Sequence, residues 1–168
     1  DAWQRVGTHE TAGPLSMAAL LRRHARGNDE AHLSQIDAIK ARFETLGRLE
    51  AGPKQLKSAT AGLDAEALGR RPEPGKWSIL EIACHLRDVE QVFTERFTKI
   101  AHQERPTLWM MDNERVSKAL RYGEARLPDV LKELARRRED TLTLLRALPP
   151  VAWKRTGSQD SHPAIQPA

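Results

Sequence analysis

Apolar residues recur at three- and four-residue intervals along most of the chain, the spacing that puts side chains on one face of a helix. From Leu15 to Phe43 the stripe is Met17, Leu20, Leu21, Ala31, Ile36, Ile39 and Phe43, and His24, Asn28, His32 and Gln35 fall on the same face. Polar groups on a buried face need partners. This stretch therefore describes either a satisfied hydrogen-bond layer or half of a metal or substrate site. Gly13-Pro14 followed by Ser16 is a turn and an N-cap, which predicts a long helix from about Met17 to Phe43 or Leu46. Gly47 and Gly52-Pro53 offer two turning points. A shorter helix is expected over Lys54 to Ala61, with Leu46 to Ala51 as its preceding turn or as an extension of the first helix.

Pro72, Pro74 and Gly75 predict an extended loop, and Ser78 with Glu81 forms a capping box that opens the next helix. Its seam is Ile82, Leu86, Val89, Phe93, Phe97 and Ile100, with His85 beside it. The segment from Gln103 to Gly123 is less regular, with Pro106 in a loop and a short crossover helix over Asn113 to Tyr122. A last helix is expected from Pro128 to Leu148, with Leu131, Leu134, Leu142, Leu145 and Leu148 inward, and Pro149-Pro150 ends it. Arg138 falls on that inward seam and reads as structural first, anion-binding second. Trp77 and Trp153 read as structural plugs; Trp109, Met110 and Met111 either cover apolar surface or line a cavity mouth. No run alternates apolar and polar residues between turn signals, so the expected fold is all-α, an up-down four-helix bundle.

Composition narrows the function classes. At 168 residues and 39% hydrophobic content the chain can bury a core as one domain, 1–168. The net charge of +4 is compatible with weak attraction to anions, but Arg136-Arg137-Arg138 runs straight into Glu139-Asp140, a mixed-sign solvated face. No aromatic interleaving accompanies the charge, so no nucleic-acid partner is expected. The single cysteine, Cys84, excludes an internal disulfide framework and fits a reducing compartment. No run approaches the roughly 20 apolar residues of a spanning helix and no signal peptide is visible, which predicts a cytoplasmic protein without a membrane partner. The chain opens on Asp1 rather than Met, as a fragment does.

One short pattern occurs twice. Ala2-Trp3-Gln4-Arg5-Val6-Gly7 matches Ala152-Trp153-Lys154-Arg155-Thr156-Gly157 as AWxRxG, which suggests a repeated module boundary.

Gly75-Lys76-Trp77-Ser78 leading into Ile82-Ala83-Cys84-His85-Leu86, with Asn28-Asp29-Glu30-Ala31-His32-Leu33-Ser34-Gln35-Ile36, resembles the DinB/YfiT-like superfamily of metal-dependent helical bundles. That family pairs GKWSxxExxxHL in one helix with HDxxHLxQI in its last. The likeness extends to LEAGP at Leu49 to Pro53 and ALPPVAW at Ala147 to Trp153. The order differs: residues 1–46 resemble the family's final helix and its linker, and 47–168 resemble the three helices that precede it. A circular permutant, a piece of a tandem array and a protomer that exchanges this helix with a neighbour all account for that order. The helix-exchanged homodimer is preferred, since Glu44 to Ala51 can continue the helix with no obligatory break until Gly52-Pro53.

The resemblance implies a divalent metal, zinc or nickel, held by a His triad. His85 and His32 take two of those places here and Asn28 stands in the third. Positions i and i+4 of a helix lie on one face about 6 Å apart, within reach of one ion. A neutral amide oxygen is a poor ligand for a transition metal and suits hard cations better. His24 lies about 12 Å along the axis from His32, too far to replace Asn28. Gln35 is placed to orient a ligand histidine through its amide, and Asp29 and Glu30 are expected to face solvent. The activity the resemblance implies is thiol-dependent transfer or hydrolase-like chemistry with a small thiol cofactor, the ion lowering the thiol's pKa. Loss of the third ligand points instead to a binding or assembly module that keeps the scaffold without turnover.

Overall fold

The computed structural model describes residues 6–9, 13–23 and 30–163. The chain divides into two compact units, Asp1–Gly47 and Arg48–Ala168. In the first, β1 (Val6–His9) and β2 (Gly13–Ser16) pair antiparallel, Val6 opposite Ser16 and His9 opposite Gly13. Helix α1 (Met17–Arg23) follows at once, and the Ser16 hydroxyl accepts from the Ala19 amide at 3.2 Å, the expected N-cap. Helix α2 (Glu30–Ala59) begins in this unit and ends in the next. Leu33, Ile36, Ile39 and Phe43 on α2 are 45–70% exposed, and Met17 is 51% exposed. These members of the stripe expected to face a core are thus turned to solvent.

The expected stop near Phe43 or Leu46 is also corrected. Helix α2 runs unbroken through Gly47, Gly52 and Pro53, and the separate helix expected over Lys54 to Ala61 is its C-terminal end. Glycine costs a helix only about 1 kcal/mol. Proline is the harder case, because Pro53 has no N–H to give the Leu49 carbonyl one turn back. A side chain replaces that donor: Arg138 Nη1 donates to the Leu49 oxygen at 2.6 Å. Gly52 leaves room for it, since a Cβ there would already stand 3.4 Å from Arg138 Nη1.

In the second unit, α3 (Ala65–Gly69) is a short helix that the spacing of apolar residues did not predict. It is capped by Asp64, whose carboxylate accepts from the Ala67 amide at 2.8 Å. Helix α4 (Ile79–His102) opens on the expected capping box, α5 (Asn113–Ala119) is the crossover, and α6 (Leu127–Ala147) carries proline in its first turn. Helices α4 and α6 pack along each other. The core joins Leu80, Ala83 and Cys84 of α4 to Val130 of α6 and to Tyr122, with Leu56, Leu68 and Val116 against it. Further along α6, Leu134, Leu142 and Leu145 are buried as expected, and the Thr94 and Thr141 hydroxyls meet at 2.6 Å between the helices.

The seam read as the inward face of α4 is turned outward at Ile82, Leu86 and Phe93, which are 43%, 38% and 42% exposed. The buried face carries Glu81 and Glu90 alongside Leu80, Ala83, Cys84 and Val92. Both carboxylates are tolerated there because arginines pair with them, Arg71 with Glu81 and Arg138 with Glu90 at 2.5 Å. The all-α expectation holds for the architecture, with two small strand pairs added to it. In the second unit β3 (Thr107–Met110) runs parallel to β4 (Ser158–Pro163), Thr107 opposite Ser158. Neither strand alternates, and the second AWxRxG copy sets their pairing. Arg155 donates to the Ile100 and Gln103 carbonyls at the end of α4, at 2.8 and 2.5 Å. Gly157 passes so close to Pro106 that a Cβ would lie 2.8 Å from its oxygen. Among the described residues no helix is long and apolar enough to cross a membrane.

Candidate functional site

The start of α4 is held by a reciprocal cap and an ion pair. Ser78 accepts from the Glu81 amide at 3.2 Å and Glu81 accepts in return from the Ser78 amide at 2.8 Å. Arg71 grips the same carboxylate, Nε to Oε2 at 3.0 Å. Its hydrogen bond is the main reason the Glu81 pKa lies below the ordinary carboxylate value, against the opposing pull of burial.

One turn on stands His85, half-buried, with the Trp77 ring edge-on at 4.9 Å and 70° between planes. Trp77 also meets Tyr122 edge-on at 6.4 Å, so the plug expected of Trp77 forms the wall between them. Trp153, on a 3-10 turn over Pro150–Lys154, stays 36% exposed. Burial lowers the His85 pKa, with Asp88 pulling the other way. Its Nδ1 is buried and finds no hydrogen-bond partner among the described residues. A neutral imidazole with one unengaged inward nitrogen is competent to accept a hydrogen bond or to ligate an ion.

Behind the imidazole lies a charge cluster that spacing alone did not reveal. Arg87 donates to both oxygens of Asp88, at 2.8 and 2.7 Å, and its guanidinium sits 5.9 Å from the Tyr122 ring centroid. Arg137 of α6 reaches Asp88 at 3.2 Å, the Arg87 carbonyl at 3.1 Å and Glu133 at 2.8 Å. Of the three arginines read as a solvated run, only Arg136 stays on the surface, between Glu133 and Asp140. Tyr122, the chain's one tyrosine, is the largest fully buried side chain among the described residues. Burial and then Asp88 raise its pKa, so the hydroxyl keeps its proton. Arg121, with φ 49° and ψ 52°, makes the left-handed turn that brings it in. Cys84 is fully buried beside it, Sγ 3.8 Å from the Tyr122 carbonyl, and burial raises the thiol's pKa.

Of the other expected site residues, His32 lies exposed on α2 in the first unit, as does Gln35, while His24, Asn28 and Asp29 lie outside the described residues. Glu30 opens α2 in solvent, as expected. Trp109 and Met110 lie part-buried on β3, where the Trp109 carbonyl accepts from Arg96 at 2.6 Å. Among the described residues no three His, Cys, Asp or Glu side chains come together as a metal site would need.

The site is thus a capped helix that presents a half-buried histidine beside the core of a helical bundle. The sequence pattern of the DinB superfamily matches residues 48–166, and the chain belongs to that superfamily. The fold is similar to that of YfiT from Bacillus subtilis, a probable metal-dependent hydrolase with an unusual four-helix bundle topology. The TM-score is 0.65 at 23% identity, over 69% of this chain and 66% of that one, so the match spans just under two thirds of YfiT's length. No protein of curated function matches the sequence.

Proposed function

We propose that this chain is a divalent-metal-binding DinB protein in which His85 supplies an imidazole ligand and zinc or nickel is the ion. Membership of the superfamily supports the reading, as does the metal dependence ascribed to YfiT. The observation that carries it is His85 itself: burial disfavours its charged form, and its buried Nδ1 has no hydrogen-bond partner among the described residues. Neutral imidazole is the form that binds metal.

Three or four donors are needed around such an ion. The described residues of one chain bring together no such set and on their own do not fit the ion. The chemistry proposed for a completed site is thiol-dependent transfer or hydrolysis of a small electrophile. Trp77 would then wall the site, and the Asp88 carboxylate would stay engaged by Arg87 and Arg137.

A second reading, a binding or assembly module without turnover, is favoured by the same shortage of donors and by the apolar side chains exposed on α2 and α4. Elemental analysis after purification without chelator and reloading with zinc or nickel separates the two. Near-stoichiometric metal in the native protein, falling at least tenfold in His85→Ala, is the expected result. Native protein that stays empty after reloading overturns the metal reading and leaves the module.

A further inference from the structure

The second unit holds a groove that shares no lining residue with the surroundings of His85. It runs between residues 53–61, the end of α2, and the first turns of α6, and its cavity volume is about 490 Å³. Sites that take small molecules span roughly 300–1,000 Å³. Leu127, Leu131 and Ala135 fall at i, i+4 and i+8 of α6 and make one apolar wall. Leu131, expected inward from the spacing, is part-buried there. The hydroxyl in the lining, that of Thr60, is spent on the Leu56 carbonyl at 2.9 Å.

The charge in this groove is of one sign. Lys54, Lys57 and Lys132 line it, no Asp or Glu does, and none of the three lysines has a carboxylate partner among the described residues. Elsewhere in the unit cations are answered: Arg71, Arg87, Arg137 and Arg138 each hold a carboxylate. The acids beside Lys132 on α6 are already engaged, Asp129 by Arg126 at 3.7 Å and Glu133 by Arg136 and Arg137 at 2.8 Å. Lys54 and Lys57, one turn apart, repel each other as like charges do. All three lysines are exposed, so their stems extend the apolar walls while the ammonium groups stay in water.

Apolar walls select hydrocarbon, and a rim of unanswered ammonium groups selects an anion. A nucleic acid would find neither an aromatic ring to stack on nor an arginine fork for its phosphates in this lining. We propose that the groove binds a single-chain amphiphile, with its hydrocarbon tail along Leu127, Leu131 and Ala135 and an anionic head, carboxylate or phosphate monoester, among Lys54, Lys57 and Lys132. The proposal does not rest on the metal-binding reading.

Calorimetric titration of the full chain with decanoate and with decyl phosphate, each below its micelle concentration, tests it. At least one should saturate at one molecule per chain, and which one does so identifies the head. Rising salt should weaken that binding, since exposed charges are screened. Lys54→Glu with Lys132→Glu should weaken it at least tenfold with the helical circular dichroism unchanged, whereas Lys118→Glu, an exposed charge outside the groove, should leave it as it is. Leu131→Gln should weaken it through the tail alone. Failure of both amphiphiles to bind overturns the proposal. So does binding that survives the double charge reversal, which places the ligand elsewhere. Decanol that binds as tightly as the anions removes the role of the lysines, and inorganic phosphate that binds as tightly removes the role of the tail; either overturns it. Capture of the protein by phosphatidylglycerol vesicles without uptake of the free amphiphiles also overturns it, in favour of a membrane surface.

Discussion

Arg138 does two things at once, and each has a measurable consequence. Its Nη2 neutralises Glu90, whose side chain is 6% exposed, and its Nη1 serves the Leu49 carbonyl that Pro53 leaves without a donor. Removing one partner of a buried ion pair strands the other charge, which costs roughly 3–5 kcal/mol. Arg138→Ala should therefore lower the urea midpoint well beyond Arg136→Ala, whose exposed pairs are worth about 0–1 kcal/mol. Arg138→Lys should recover only part of the loss, because an ammonium cannot hold both acceptors in a fork. Glu81 gives a pH-dependent counterpart. Its folded pKa is depressed, mainly by Arg71, so its contribution is present above the unfolded value of about 4.3 and is lost as pH falls through the folded value. Glu81→Gln should destabilise the protein near neutrality by about 1–3 kcal/mol, and thermal melts of variant and parent should converge at the acid end of that range.

At the scale of elements, α2 shows how far local signals reach. Pro53→Ala restores an N–H to the Leu49 carbonyl, which makes the Arg138 bond redundant; a double-mutant cycle should find Arg138→Ala less costly in that background, with a coupling of about 1 kcal/mol. What was legible in the sequence is what neighbouring residues decide: the Ser78–Glu81 box, the Ser16 cap, the crossover at Asn113 and the start of α6 next to Pro128 all formed as the pattern predicts. Gly52-Pro53 read as a turn because the donor that keeps it helical lies on α6, far away in sequence. The outward face of α4 was misread for a related reason. Periodicity counts hydrocarbon, while the buried face includes two glutamates whose arginines come from the Arg71 loop and from α6. His85 was legible from its motif; Tyr122, Asp88 and Arg137 around it were not, since no spacing links the chain's single tyrosine or α6 to that turn of α4.

At the scale of the whole molecule, the chain carries its own reporter of less visible events. Cys84 is its one thiol, has no accessible surface and is held protonated by burial. An alkylating reagent attacks thiolate, so modification must wait for the α4–Tyr122 core to open. The rate of labelling in plain buffer is therefore a stopwatch on that opening, readable without denaturant and on any variant that leaves Cys84 in place.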